Sequence, residues 1–268
     1  MMQVLSHILR FGVPLIYLMV SLGYVFASVK KRPAVAPWIG PALLIGLVAH
    51  ALVLVLIPLE HSRLPFATPF EGLAFSGWIF VVFAAGLVFS QKEENFGAFL
   101  FPVGFVVSAA ALALVNQQDR LPALLGSQPF MAHTWVLFAS YGCFLISAVT
   151  SVMYLTLHHQ IRARSFGLFS DRLPSLEVMD TVVAHVDAVG TALLLIGIVM
   201  GFLWLNSPMV KPPTLHLKIA GSMLAAVTYT CEHIFRMGKG WKGQRASIVS
   251  IIGFALLMLT FMAGLHGY

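Results

Sequence analysis

Histidine is where this chain offers the most chemistry. It carries ten imidazoles against two cysteines and ten acidic residues. His266 closes the last apolar run, Ala246 to Leu265, and is followed by Gly267 and Tyr268. His133 opens an earlier run that reads Ala132-His-Thr-Trp-Val-Leu-Phe138. Two imidazoles at matched depth on separate helices are what axial ligation of a flat iron macrocycle requires. Each also has a plainer reading, His266 as an interfacial side chain beside Tyr268 and His133 as a solvated residue at a helix end. Cys143 and Cys231 fall inside apolar runs and in no C-x-x-C or C-x-x-C-H pattern, which argues against disulfide exchange and against self-attachment of haem.

The elements that must position these residues are membrane spans. Hydrophobic residues make up 59% of the 268 and charged residues 10%, well outside the range of soluble domains. Eight apolar segments can be read: Phe11–Val29, Trp38–Leu59, Gly72–Ser90, Phe96–Val115, Ala132–Leu157, Val183–Leu205, Leu215–Phe235 and Ala246–Leu265. Each approaches the roughly 20 residues needed to cross a bilayer. The first is kept as a span rather than a secretory signal because Lys30, Lys31 and Arg32 follow it at once. No polar stretch is long enough for a separate soluble domain. The expected fold is therefore an all-α integral membrane bundle of about eight helices, a single polytopic domain over residues 1–268.

Orientation follows from the basic residues. Of the sixteen Lys and Arg, eleven fall in alternate loops (around Lys30–Arg32, Lys92, Arg162–Arg172 and Arg236–Arg245) and five on the other side. Cytoplasmic loops carry the excess, so both termini are expected outside, with His61, His133 and His266 at the outer surface. The net charge of +6 thus sits in short loops and reflects the bilayer rather than a nucleic-acid surface.

Several other residues deserve naming. Thr68-Pro-Phe-Glu71 reads as a capping box with proline in the first turn, which fixes the start of the third span and gives Glu71 a structural reason to be there. Asp187 lies within the sixth span, where a carboxylate is expected to face protein or water rather than lipid. Trp204 precedes the proline-rich turn Pro208–Pro213 and can pack at the interface or over a ligand. His50 is near mid-span in the second segment, and Cys231-Glu232-His233 lies near the inner end of the seventh. A buried histidine paired to a carbonyl or hydroxyl accounts for either one as well as a ligand role does.

With these pieces in place the chain resembles the CcsA/HemX-type cytochrome c assembly proteins. The resemblance covers most of the length. It rests on Leu64-Pro…Phe70-Glu71-Gly-Leu…Phe75…Trp78, on His133 with Ser140-Tyr141 behind it, and on Pro174-Ser-Leu-Glu177. The most specific parts are the Gly240-Trp-Lys-Gly243 turn and the closing Gly264-Leu-His266-Gly-Tyr268. The resemblance implies that His133 and His266 are axial ligands of a haem at the outer surface. It also implies a second haem position inside the bundle at His233, for which His50 is the candidate partner. The family's outer loop is tryptophan-rich, with a W-G-x-x-W-x-W-D core. Here the corresponding Asn206–Leu217 has neither Trp nor Asp.

The expected function is a haem-handling membrane protein that binds or relays haem b during cytochrome c assembly. The missing aromatic loop leaves catalysis open; if the chain takes part in haem attachment, it is expected to do so as a subunit of a haem-attachment system rather than as a self-sufficient catalyst. The implied partners are haem, a second membrane subunit, an apocytochrome client whose own thiols would be joined to haem, and the lipid of a bacterial plasma membrane. A regulator or scaffold of haem synthesis or respiratory assembly without bound haem is the alternative. An ion or small-solute transporter using His50 and Asp187 ranks below both, since no inverted repeat or broken-helix pair is visible.

Overall fold

The computed structural model describes residues 2–30, 37–60, 69–91, 93–114, 128–165, 167, 172–205 and 215–265. These form eight helices: α1 (Met2–Val29), α2 (Ile39–Glu60), α3 (Pro69–Gln91), α4 (Asn95–Leu112), α5 (Gln128–Ala163), α6 (Leu176–Leu205), α7 (Leu215–Lys239) and α8 (Gln244–Leu265). Among the described residues there is no strand. Helices satisfy their own backbone groups, which is why they can cross lipid. All but α7 are long and apolar enough to do so by length and composition. The chain is a multi-pass, all-helical membrane protein.

Every expected segment is a helix, but three run well past their apolar cores. α1 begins at Met2 rather than near Phe11, α5 continues to Ala163, and α6 starts at Leu176 rather than near Val183. Hydropathy marks only the part of a helix that meets lipid, whereas the backbone continues through amphipathic ends. At α6 the start has a local cause: Ser175 accepts a hydrogen bond from the Val178 N–H at 3.3 Å, as an N-cap serine does. α3 begins at Pro69, as the capping motif predicts, while Thr68 lies outside the described residues. α7 falls short of span-like composition because it carries Lys218, Glu232, Arg236 and Lys239. Glu232 is only 1% exposed, so this charge faces protein rather than lipid.

The chain packs as two compact units, Met1–Met131 and Ala132–Tyr268. In the first, α1 packs on α2 and α4, and α3 on α4 and α2. Its buried residues are large, among them Tyr17, Phe80, Phe96, Leu100 and Phe101. The backbones approach closely where glycine allows it: Gly97 of α4 lies directly under the ring of Tyr24 on α1, and no Cβ fits there. The outward faces carry Leu15, Leu22, Leu44 and Val55, all well exposed, as expected of surfaces solvated by lipid chains.

In the second unit, α7 packs on α8 and α6, and α5 reaches α6 through the Ser140 hydroxyl, which donates to the Gly190 carbonyl at 2.8 Å. The centre is apolar: Phe144 stacks on Tyr229 at 3.8 Å between ring centroids, with Leu194, Ala225, Ala226 and Leu257 around them. The Gly240-Trp-Lys-Gly243 turn links α7 to α8. Both of its glycines have φ of +62°, a region closed to most side chains. The Gly243 N–H donates to Asp180 Oδ1 at 2.8 Å, so the turn is tied to the first turns of α6. Trp241 packs on Phe235 at 4.7 Å. The motif that stands out in the sequence is thus a hinge between helices held by a carboxylate.

Candidate functional site

His133 lies in the second turn of α5, half-buried. Its Nδ1 is 2.7 Å from the backbone carbonyl oxygen of Gly197 on α6. A carbonyl only accepts, so Nδ1 carries the proton and the neutral ring bears its lone pair on Nε2. The ring also rests against Gly201, one turn further along α6. A Cβ there would come within 2.8 Å of His133 Cε1 and 3.6 Å of Nε2. Gly197 and Gly201 thus serve one purpose, the first as acceptor and the second as floor. The signal for this cradle was in the sequence as Gly197-x-x-x-Gly201, a spacing that lets helices approach closely.

The brace on His133 is of the kind that a metal-ligating imidazole uses. Metal-ligating histidines almost always give their other N–H to a carbonyl or carboxylate, which fixes the tautomer and the ring's aim. His185 makes a useful contrast. Its Nδ1 also meets a carbonyl, at 2.9 Å, but that of Thr181 in its own helix, and the side chain is exposed. Only His133 is braced across helices in this way among the described histidines of this unit.

His266 lies outside the described residues. The helix that leads to it is described, and its last turns adjoin the start of α5: Phe138 and Phe261 meet edge to face, 6.3 Å apart. Phe138 follows His133 by five residues and His266 follows Phe261 by five. Trp204 is in the last turn of α6, three residues beyond Gly201. Its side chain is not among those described.

His233 on α7 is half-buried, and its Nδ1 is buried with no hydrogen-bond partner among the described residues. An orphaned buried nitrogen calls for a ligand, an ion or water. His50 belongs to the other unit and is differently placed. It is 3% exposed, and its Nδ1 is 3.2 Å from the Tyr17 hydroxyl. The cavity beside it holds about 10 Å³, room for a single water and not for a macrocycle in this conformation. Among the described residues no three His, Cys, Asp or Glu side chains gather as a metal site.

The fold is a bundle of apolar helices, seven of them long enough to cross a membrane, in which one imidazole of α5 is braced against α6. The chain belongs to the cytochrome C assembly protein family, whose model matches residues 44–265. Among similar proteins, "Protein HemX" of Brevibacillus brevis is 25% identical over 74% of this chain and 73% of its own length. "Cytochrome c biogenesis protein CcsA" of Mesostigma viride is 24% identical over 81% of each chain. "Protein HemX" of Bacillus subtilis (strain 168) is 23% identical over 75% and 73%.

Proposed function

We propose that this protein holds or relays haem b in cytochrome c assembly, with His133 and His266 as the axial pair. The observation that carries this reading is the brace on His133, its Nδ1 on the Gly197 carbonyl and its ring on the bare backbone of Gly201. The family and the relatives named for cytochrome c biogenesis support the same role. Bound haem would supply the iron and the vinyl groups that cytochrome c maturation consumes. The residues supply the rest. His133 presents Nε2 in a fixed tautomer, His266 follows the helix end that adjoins α5, and Trp204 lies in the nearby last turn of α6. Attachment would use thiols of an apocytochrome client, since Cys143 is buried and Cys231 is isolated from it in sequence.

A second haem position is supported at His233 by its orphaned Nδ1. His50, in the other unit, is held by the Tyr17 hydroxyl, which accounts for it as a buried polar residue. We assign both termini to the outer side of a plasma membrane from the distribution of basic residues, and a second membrane subunit as the source of the aromatic surface that Asn206–Leu217 lacks.

Gly201→Ala tests the reading at its carrying observation. Alanine favours a helix more than glycine does, so α6 should be kept while the new methyl group displaces the ring. Haem affinity of the purified protein is expected to fall by about tenfold, the lower range for disturbing a ligand's support. Unchanged affinity with unchanged helix content would remove the brace from the mechanism.

A further inference from the structure

A set of buried polar groups in the second unit has no part in haem ligation. Asp187 of α6 is 1% exposed. Its Oδ2 is 2.5 Å from the Ser250 hydroxyl of α8, and its Oδ1 has no partner among the described residues. The charged and titratable groups around it are Cys143 on α5 and Tyr229, Glu232 and Arg236 on α7, while α8 offers only hydroxyls. The one cation of that set, Arg236, is already held by Glu232 and Asp180. An ionised Asp187 would therefore be a buried charge without a counter-ion, an expensive state.

The hydroxyl beside it tells the same story. Ser250 Oγ is 2.5 Å from Asp187 Oδ2 and 3.1 Å from the Ala246 carbonyl. One hydroxyl has one proton and cannot donate to both at full strength. If the acid carries a proton, Asp187 donates to Ser250, Ser250 donates to Ala246, and each contact has its own hydrogen.

The polar groups also form a line. Asp180 meets the Gly243 N–H and the Arg236 guanidinium at one end of the unit, where the Tyr154 hydroxyl also lies against Gly243. Seven residues along α6 from Asp180 is Asp187. Seven along α8 from Gly243 is Ser250, seven back along α5 from Tyr154 is Ser147, and seven back along α7 from Arg236 is Tyr229. Those four meet as well: Ser147 lies beside Asp187, and the Tyr229 hydroxyl donates to the Ser250 carbonyl at 3.0 Å. The two levels are about 10 Å apart at 1.5 Å per residue. Between them lie Ser151 and Thr150 on α5 and Ser247 on α8. These three and Ser147 are all 0% exposed, and none of their hydroxyls has a partner among the described residues. Buried hydroxyls without protein partners are groups that internal water can serve.

We propose that a hydrated polar file enters the second unit at the Asp180 end and terminates at Asp187, which stores and exchanges a proton. In the transfer step the acid turns its O–H from Ser250 toward Ser147, that O–H bond breaks, and the proton forms a new O–H bond to a water held by Ser147. The carboxylate left behind accepts from Ser250, and reprotonation runs the same path in reverse. No electron moves and no co-reactant other than water is needed. The inference goes beyond haem handling and does not depend on it.

Infrared spectroscopy of the purified full-length protein tests it, in normal and heavy water at neutral pH. A protonated-carboxyl C=O band is expected that is lost in Asp187→Asn and moves on transfer to heavy water. In the double variant Ser147→Ala, Ser247→Ala the band should persist while its exchange slows by about tenfold or more, a barrier change of about 1.4 kcal/mol. Ser250→Ala leaves the carboxyl in place but removes the acceptor of its proton, so the band must shift even if Asp187→Asn fails to fold. A band that is absent at neutral pH, that vanishes when sodium is added, or that ignores Ser250→Ala would overturn the proposal. The second of these outcomes would make Asp187 a cation site. Exchange as fast in the serine variants as in the wild type would overturn the file.

Discussion

Replacing His133 with alanine is expected to strip most of the haem from the purified protein, and His266→Ala is expected to do the same. Loss of either axial ligand leaves the iron with one imidazole. A fall in affinity of tenfold needs only about 1.4 kcal/mol, so the observed loss should be at least that large. Added imidazole should restore part of the haem in each variant by refilling the vacated position, which a variant that merely unfolds cannot do. His185→Ala is the control, because that ring is exposed and bonded only to its own helix. Equal haem content in the wild type and in both variants would take these residues out of the mechanism.

The second large effect concerns stability. Arg236→Ala should lower the thermal midpoint of the detergent-purified protein by about 10 °C. Arg236 bridges two helices: its Nη1 is 3.0 Å from Asp180 Oδ1, and its Nε is bonded to Glu232 Oε1. The Glu232 side chain is 1% exposed and that of Arg236 8%. Removing one partner of a buried pair leaves the other as an uncompensated charge, at about 3–5 kcal/mol. For a chain of this size each kcal/mol moves the midpoint by about 2–4 °C. Adding Glu232→Gln to Arg236→Ala should recover part of the loss, because the stranded charge goes with it. A midpoint unchanged in Arg236→Ala would mean that these charges are reached by water and that the cluster contributes little.

Much of this was legible in the sequence, and what was not has physical reasons. The apolar runs identified every helix because lipid demands apolar side chains over a fixed length. The same signal missed where α1 and α6 begin and where α5 ends, since beyond the lipid a helix answers to capping and packing instead, as at Ser175. Asp187 was expected to face inward, and it does. Its companions went unread because hydropathy averages around a helix: Ser147 and Ser151, or Ser247 and Ser250, stand out only when residues three and four apart are placed on one face. The link from Asp180 to Gly243 spans 63 residues and no local pattern reports it. His133 was found by type and position, but its value comes from the Gly197 carbonyl and from Gly201, where the informative feature is the side chain that is missing. His61 and His266 lie outside the described residues, so the pairing of His133 with His266 rests on the resemblance and on the helix ends that adjoin.

The visible spectrum of the full-length protein, purified in detergent from haem-replete cells and recorded oxidised and reduced, tests paired-histidine haem binding most directly. The account predicts a red preparation with a sharp α band on reduction, as two imidazoles on one iron give. A colourless preparation that also fails to take up added haem would contradict it and leave a membrane scaffold in its place.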